Sequence, residues 1–426
     1  MGCIGVEEGN RMGRVVIVDP AYASSVGHHA DVNALLLKGL AQQGWAAECW
    51  ADGAVAAEGC RGVFNGCGYL DPRHWADLGG TVHLARRVEQ QLLAERDRQA
   101  SESSQPPAAW VIHTALPFQL LGLARALRRI PAATVVVSLM FPPGETLGKD
   151  EPQGAATGNC RVALGALAQA VSQGGHRLRL ELPSQQSLEL HAPLLAAAGL
   201  ACSGLHPAVV GAGLPVAPPA AGRPAAAPGR PRILLHWGDL KPGKGRREAL
   251  EVVKQLLGGG PLPPSLEDAE WLFQLHSQNP LAGAELGSLE RARELLPRFR
   301  WLNERVPMER MQDLLAGCDV ALLAYDPVHY RHRSSGLLWC YGAARLMAGQ
   351  SAAVVGRAGG WLEREASNLG MKWRSGSDGD WLEHLAAAAV AGAEADNGHF
   401  TTYGRWVLGE SFAAYVAQLI THDEAK

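Results

Sequence analysis

Residues Ile233 to Arg246, reading ILLHWGDLKPGKGR, carry the side-chain types that hold a phosphate group. A short apolar run breaks into a glycine- and lysine-rich turn and then opens a helix. Glycine lets the backbone approach closely, the N–H groups at a helix N-terminus face an anion, and a lysine adds a point charge. Gly238 to Gly245 comes within one residue of the nucleotide-hydrolase pattern G-x-x-x-x-G-K-[ST], and Val320 to Tyr325 followed by Asp326 has the form of that class's second, Mg²⁺-facing strand. Gly245 stands where a hydroxyl would meet Mg²⁺. The turn therefore reads in three ways: a hydrolase site, a different phosphate site, or a plain turn into a helix. A second group of polar residues lies near the N-terminus, where Gly27, His28 and His29 follow a first strand ended by Asp19 and Pro20, with His113 ending a later strand beside Thr114. Two adjacent histidines are a fragment of a metal site, but no third ligand stands at a helpful spacing, so no metal is expected.

The elements that must position these residues follow a β-loop-α-β rhythm. Val15 to Val18 reads as a strand, Asp31 to Gln43 as a helix closed by Gly44, and Ala46 to Trp50 as the next strand. Further strands are expected at Trp110 to His113 and Thr134 to Leu139, which argues for a doubly wound parallel sheet with ligands at the strands' carboxyl ends. Glu95 to Ala109 and Pro142 to Asn159 are polar enough to read as exposed loops. The sharpest break in composition runs from Leu214 to Arg232, where six prolines forbid a regular helix or central strand. It is taken as a linker between an N-terminal domain, 1–213, and a C-terminal domain, 233–426. A second α/β set follows, with strands at Ile233–Trp237, Trp271–Leu275, Phe299–Leu302, Val320–Ala324 and Ala352–Val355. Helices are expected at Met308–Ala316, Leu337–Ala348 and Glu410–Ile420, the last of them a candidate to pack back on the N-terminal domain.

The second half resembles the C-terminal domain of the GT-B glycosyltransferases of the large retaining family, the group 1 type. Gly238-Asp239-Leu240 and Lys244-Gly245 follow that family's glycine-arginine-leucine and lysine-glycine turn, with Asp239 in place of the arginine. The segments around Phe299 to Val306, Met311 to Leu323 and Arg333 to Gly349 match its later landmarks in order. The resemblance implies two Rossmann-like doubly wound parallel-sheet domains facing an interdomain cleft. It implies a donor-diphosphate site at Gly238, Lys241, Lys244, Ser334, Ser335 and Gly336, with Arg331 and Arg333 adding charge from just before the helix. The family's glutamate pair is absent, with Ser335 at the first place and Gly342 or Ala343 at the second. On the other side, Gly27, His28 and His29 lie where the family has a glycine loop facing the cleft, and the Gly-His-His-x-x-x-Asn form ending at Asn33 resembles a bacterial surface-polysaccharide subgroup. His113 matches a histidine near the transferring sugar.

The expected activity is transfer of a sugar from a nucleotide-sugar donor to a glycan or lipid-linked acceptor, in polysaccharide or glycoconjugate synthesis. Catalysis is assigned to Lys244, Arg333 and His113, with no cofactor and no metal, because Lys244 and the helix at Ser335 take over the charge on the departing diphosphate. If the resemblance extends to stereochemistry, the outcome is retaining. Two rivals stand beside this reading, a GT-B protein that binds nucleotide or glycan without transfer and a nucleotide hydrolase of the P-loop kind. A dinucleotide oxidoreductase is weaker, since neither half has G-x-G-x-x-G after its first strand.

Bulk properties agree with an ordinary globular chain. Of 426 residues, 47% are hydrophobic and 19% charged, and a net charge of -3 gives no reason to expect a nucleic-acid partner. Eight cysteines without a C-x-x-C pair read as reduced thiols of a cytoplasmic protein. The start lacks a myristoylation signal and a signal-peptide core, and Met12 stands as an alternative first residue. No apolar stretch reaches the roughly 20 residues of a membrane span, so any contact with the inner membrane would be peripheral.

Overall fold

The computed structural model describes residues 13–24, 27–68, 77–102, 105–143, 145–146, 149–150, 155–209, 230–238, 243–275, 281, 283–393 and 400–421. The chain divides into two compact units, Met1–His206 with Ser411–Lys426, and Pro207–Glu410. Residues 210–229, most of the proline-rich stretch expected as a linker, lie outside the described residues, as does Lys241.

Unit 1 begins with β1 (Arg14–Val18), α1 (His28–Gln42), β2 (Ala46–Asp52), β3 (Cys60–Phe64), α2 (Leu78–Glu102) and β4 (Ala109–Ile112). It continues through α3 (Pro117–Leu127), β5 (Thr134–Ser138), a hairpin of β6 (Glu145–Thr146) and β7 (Lys149–Asp150), α4 (Ala155–Gly174), β8 (Arg177–Leu182), α5 (Gln185–Ala197) and β9 (Gly204–Leu205). Seven strands form one parallel sheet in the order β3-β2-β1-β4-β5-β8-β9. β1, β4 and β5 are almost wholly buried, which is why they read as unbroken apolar runs. Trp50 and Trp110 meet edge to face across the core, with centroids 5.3 Å apart, an arrangement that adds about 0.5–1.5 kcal/mol beyond area burial.

Of the stretch Glu95 to Ala109, expected as a loop, the part to Glu102 is the end of α2, whereas residues 105–108 form neither helix nor strand. The inner face of α2 buries Leu84, Ala85, Val88, Leu92 and Leu93 at helical spacing. The polar end is tied down sideways: Arg98 pairs with Glu95 and Glu102 on the same helix, and buried Gln99 donates to Glu48 of β2. These i,i+3 and i,i+4 pairs turn a charged segment into a helix face. The second expected loop likewise holds the β6–β7 hairpin and the start of α4.

Unit 2 holds β10 (Arg232–His236), α6 (Arg246–Leu257), β11 (Glu270–Gln274), α7 (Gly283–Leu295), β12 (Phe299–Leu302), α8 (Met308–Ala316) and β13 (Val320–Leu323). It ends with α9 (Gly336–Met347), β14 (Ala353–Gly356), α10 (Trp361–Leu369), β15 (Lys372–Ser375), α11 (Trp381–Ala393) and α12 (Thr402–Gly409). Its six strands are also parallel, in the order β12-β11-β10-β13-β14-β15. The final helix, α13 (Phe412–Thr421), belongs to unit 1 and packs on α1 and β5. Gly39 of α1 makes this docking close, since a Cβ there would fall 2.3 Å from that of Ala413. Tyr415 of α13 also donates a hydrogen bond to the buried carboxylate of Glu181 at 2.9 Å.

Glu365 of α10 is fully buried and accepts hydrogen bonds from Trp339 Nε1 (3.1 Å) and Tyr403 Oη (3.3 Å), while its Oε2 has no partner among the described residues. Burial pushes its carboxyl up to about 7. The fold thus holds this proton after the unfolded chain has lost it, so the contribution is complete below the ordinary glutamate value of 4.5 and is lost as pH rises through about 7. Chemical denaturation of the wild type should show this decline, on the order of 3 kcal/mol, and Glu365→Gln should flatten it. An unchanged slope in the variant would show that Glu365 does not titrate in the folded protein.

Candidate functional site

In each sheet the chain order reverses beside the first strand, so that β1 lies next to β4 in unit 1 and β10 next to β13 in unit 2. Connections leaving the two strands at such a point pass to opposite faces and leave a crevice at their carboxyl ends. The chemistry-bearing residues of each unit gather there.

In unit 2, β10 ends at His236 and leads through Trp237 and Gly238 to the glycine turn. The Gly238 N–H, expected to be open to a phosphate, donates to Gln274 Oε1 at 2.7 Å, and Gln274 Nε2 donates to the Glu304 carbonyl at 2.7 Å. Gly238 therefore acts as the anchored shoulder of the turn. Gly243 and Gly245 both have positive φ, 80° and 72°. The turn is stitched to the segment after β13: Asp326 N donates to the Gly243 carbonyl at 2.9 Å, and Gly245, the N-cap of α6, packs so close to Ala324 that a Cβ would lie 3.1 Å from its backbone. Lys244 between them is half-buried and lies close enough to buried His236 to help hold that imidazole neutral, its pKa lowered to about 3 by burial first and by Lys244 next.

The segment after β13 continues the site. Tyr325 is buried and its hydroxyl bonds Ser335. Ser335 caps α9, its Oγ accepting from Leu338 N at 3.4 Å. This contact engages the Ser335 hydroxyl in capping the helix end at which a diphosphate is expected. Gly336 is exposed with open space about it, and the first-turn N–H groups of α9 have no intrahelical acceptor. Arg333 and Ser334 are half-buried immediately before the cap. The site in unit 2 is therefore a lysine-bearing glycine turn joined through residues 324–335 to a second helix N-terminus preceded by arginine. Such an arrangement can hold a doubly charged diphosphate.

The same geometry weighs against the hydrolase reading. Gly245 occupies a left-handed conformation in which an added Cβ would lie 3.1 Å from the Ala324 backbone, a tight and strained place for the side chain that carries a Mg²⁺-binding hydroxyl. Asp326, the candidate Mg²⁺-facing carboxylate, is spent on its own turn, accepting from the backbone N–H groups of Val328 and His329 at 2.8 and 3.3 Å.

In unit 1, Gly27 (φ 102°) is the N-cap of α1, His28 is exposed and His29 is partly buried. Asp19, just after β1, is 1% exposed. Its carboxylate receives Ala21 N (3.2 Å) and Asn33 Nδ2 (2.6 Å), and it contacts His29 Nδ1 (2.8 Å) and His113 Nε2 (3.2 Å). Burial raises the cost of its charge, yet the paired imidazoles outweigh burial and hold the carboxyl far below the usual range. His113, expected beside a transferring sugar, is instead 1% exposed beneath the surface. Its Nδ1 meets Thr114 Oγ1 at 2.9 Å and its Nε2 meets Asn33 Oδ1 at 3.2 Å, so both ring nitrogens are engaged inside the protein. Sequence reasoning gave no role to Asp19, Gln274, Tyr325 or His236. Their common signal is position, each lying at or just after the carboxyl end of a central strand.

No protein-family model matches this sequence, and no curated protein matches it. Solved structures do. An α,α-trehalose-phosphate synthase (UDP-forming) from Burkholderia xenovorans, in complex with glucose-6-phosphate, aligns with a TM-score of 0.58 at 12% identity, covering 96% of this chain and 100% of that one. A trehalose-6-phosphate synthase from E. coli bound with UDP-2-fluoro glucose aligns with a TM-score of 0.52 at 14% identity, over 96% of both chains. A candidate UDP-N-acetylglucosamine 2-epimerase from Listeria monocytogenes aligns with a TM-score of 0.51 at 12% identity, over 97% of both. The chain has the GT-B fold, two parallel-sheet α/β units.

Replacing Gly245 by serine would complete the hydrolase pattern in sequence while forcing a side chain into the left-handed turn. Gly245→Ser is expected to lower stability by about 1–3 kcal/mol, measured by urea denaturation, and to gain no Mg²⁺-dependent ATP hydrolysis. A stable variant that hydrolyses ATP would contradict the turn geometry.

Proposed function

We propose that this GT-B protein is a glycosyltransferase that takes a sugar from a nucleotide-sugar donor held by unit 2. The observation that carries the reading is the pair of cation-bearing helix N-termini, α6 with Lys244 and α9 with Arg333, joined at the carboxyl ends of β10 and β13. Lys244 and Arg333 supply positive charge, and the N–H groups of Gly336 and Leu337 supply donors, where negative charge grows as the nucleoside diphosphate departs. No carboxylate cluster for Mg²⁺ is assigned to this step. The neighbours described as UDP-forming or bound with a UDP-sugar make UDP the first nucleotide to test.

The acceptor is assigned to unit 1, where Gly27 and exposed His28 border the open N-terminus of α1. The Gly-His-His-x-x-x-Asn motif, which opens α1, favours a glycan or lipid-linked acceptor in polysaccharide or glycoconjugate synthesis. Retention of anomeric configuration is the expected outcome, with the acceptor attacking on the leaving-group face and a diphosphate oxygen removing its proton. That route requires no protein base, which accords with the burial of His113. A second reading, binding without transfer, is favoured by Asp239 in the turn and by Ser335 and either Gly342 or Ala343 at the places of the family's glutamates.

Calorimetric titration with UDP, GDP, ADP and CMP in the absence of metal tests the site. One diphosphate should bind, and Lys244→Ala and Arg333→Ala should each weaken it roughly 10- to 100-fold, the effect of losing a charge-assisted hydrogen bond, with an unchanged circular dichroism spectrum. Unaltered affinity in both variants would remove the assignment. Binding without donor hydrolysis or transfer to any glycan acceptor would select the second reading.

A further inference from the structure

Asp19, His29 and His113 come from three different elements, the end of β1, the first turn of α1 and the end of β4. One ligand atom from each, a carboxylate oxygen and two imidazole nitrogens, lies within 4.8 Å of the others. We propose that these three residues bind a transition-metal ion, Zn²⁺ by their donor chemistry, with an open position for a further oxygen ligand. This site lies within unit 1 and is independent of the diphosphate reading of unit 2.

The spacing supports it. Zn²⁺ holds nitrogen and oxygen donors at about 2.0–2.2 Å in a tetrahedron, so neighbouring donors stand roughly 3.3 Å apart. His29 Nδ1 and His113 Nε2 lie 2.8 and 3.2 Å from Asp19 Oδ2, so only small side-chain shifts are required. The surrounding bonds fix which atoms face inward. Thr114 Oγ1 engages His113 Nδ1 at 2.9 Å, which turns Nε2 toward Asp19 Oδ2 and Asn33 Oδ1, each at 3.2 Å, so a bound ion takes the place of the Asn33 contact. Asn33 donates to Asp19 Oδ2 at 2.6 Å and to the His29 carbonyl at 2.9 Å, bracing two ligands at once. Outer contacts of this type orient metal ligands, and element ends hold them more firmly than loops do.

Burial adds a charge argument. Asp19 and His113 are each 1% exposed, while the His29 side chain retains 13% exposure. Without a cation, His29, Asn33 and His113 all converge on one carboxylate oxygen. A cation at the centre would replace these contacts with metal–ligand bonds and balance the buried carboxylate. Two nitrogen donors among three disfavour Mg²⁺ and Ca²⁺, which take oxygen ligands. Three protein ligands among the described residues match the ligand count of Zn²⁺ sites that take a further ligand rather than that of four-ligand structural ones.

The test uses the full-length protein, stripped with a chelator and titrated with Zn²⁺ against a chromophoric competitor. One tightly bound ion per chain is expected. His29→Ala, at the exposed edge where the fold is least at risk, and His113→Gln should each weaken binding by roughly 100-fold. Co²⁺ should give a visible ligand-field spectrum in the wild type that is lost in both variants. The chain has 15 histidines in all, so surface binding is the alternative to detect. No saturable binding by the wild type, or equal affinity and an equal Co²⁺ spectrum in His29→Ala, would overturn the proposal, and melting temperatures of the variants separate ligand loss from misfolding.

Discussion

Each sheet is constrained by the reversal of strand order beside its first strand, and the candidate chemistry depends on that constraint. A parallel strand can be followed only by a crossover, and crossovers leaving β1 and β4, or β10 and β13, go to opposite faces. Two carboxyl ends are thereby left side by side with no connection covering them. Asp19 and His113 meet at one such point. The glycine turn after β10 meets the segment after β13 at the other. Had the strands followed in simple sequence order, these residues would lie on separate edges of each unit.

The two crevices solve the problem of buried polarity differently. Unit 1 buries a carboxylate and meets its demand with side chains, Asn33 and two imidazoles, supported by one backbone N–H. Unit 2 uses the backbone, with Gln274 anchoring the turn and left-handed glycines bringing it against Ala324. The side-chain network suits a compact cation or a hydroxyl. The backbone turn, flanked by Lys244 and by the helix end after Arg333, suits an extended anion.

The fold alone does not decide between chemistries. Structures that share it at 12–14% identity include chains described as trehalose-phosphate synthases and as a candidate epimerase. What distinguishes this chain is which residues stand at the strand ends. The left-handed Gly245 and the turn-bonded Asp326 do not suit Mg²⁺-dependent hydrolysis, whereas Lys244 and Arg333 suit an anion.

Much of the architecture was legible in the sequence because buried parallel strands are apolar on both faces. β1, β4, β5 and β10 to β14 read as apolar runs, and α8 was found from its amphipathic spacing over the same residues, Met308–Ala316. The last turns of α2 were not legible as helix, because their stability comes from ion pairs and from Gln99 bonding Glu48, contacts a hydropathy pattern does not contain. Residue types marked the candidate phosphate turn, since glycines at 243 and 245 suit its left-handed backbone and Lys244 brings a positive charge to it. Partnership was a different matter. Asn33 and His113 are 80 positions apart and touch only because β1 and β4 are neighbours. Their pairing, the burial of Asp19 beside them and the meeting of Asp19, His29 and His113 in one cluster were decided by tertiary structure. Local sequence sets what a residue can do, whereas the order of strands in the sheet sets which residues do it together.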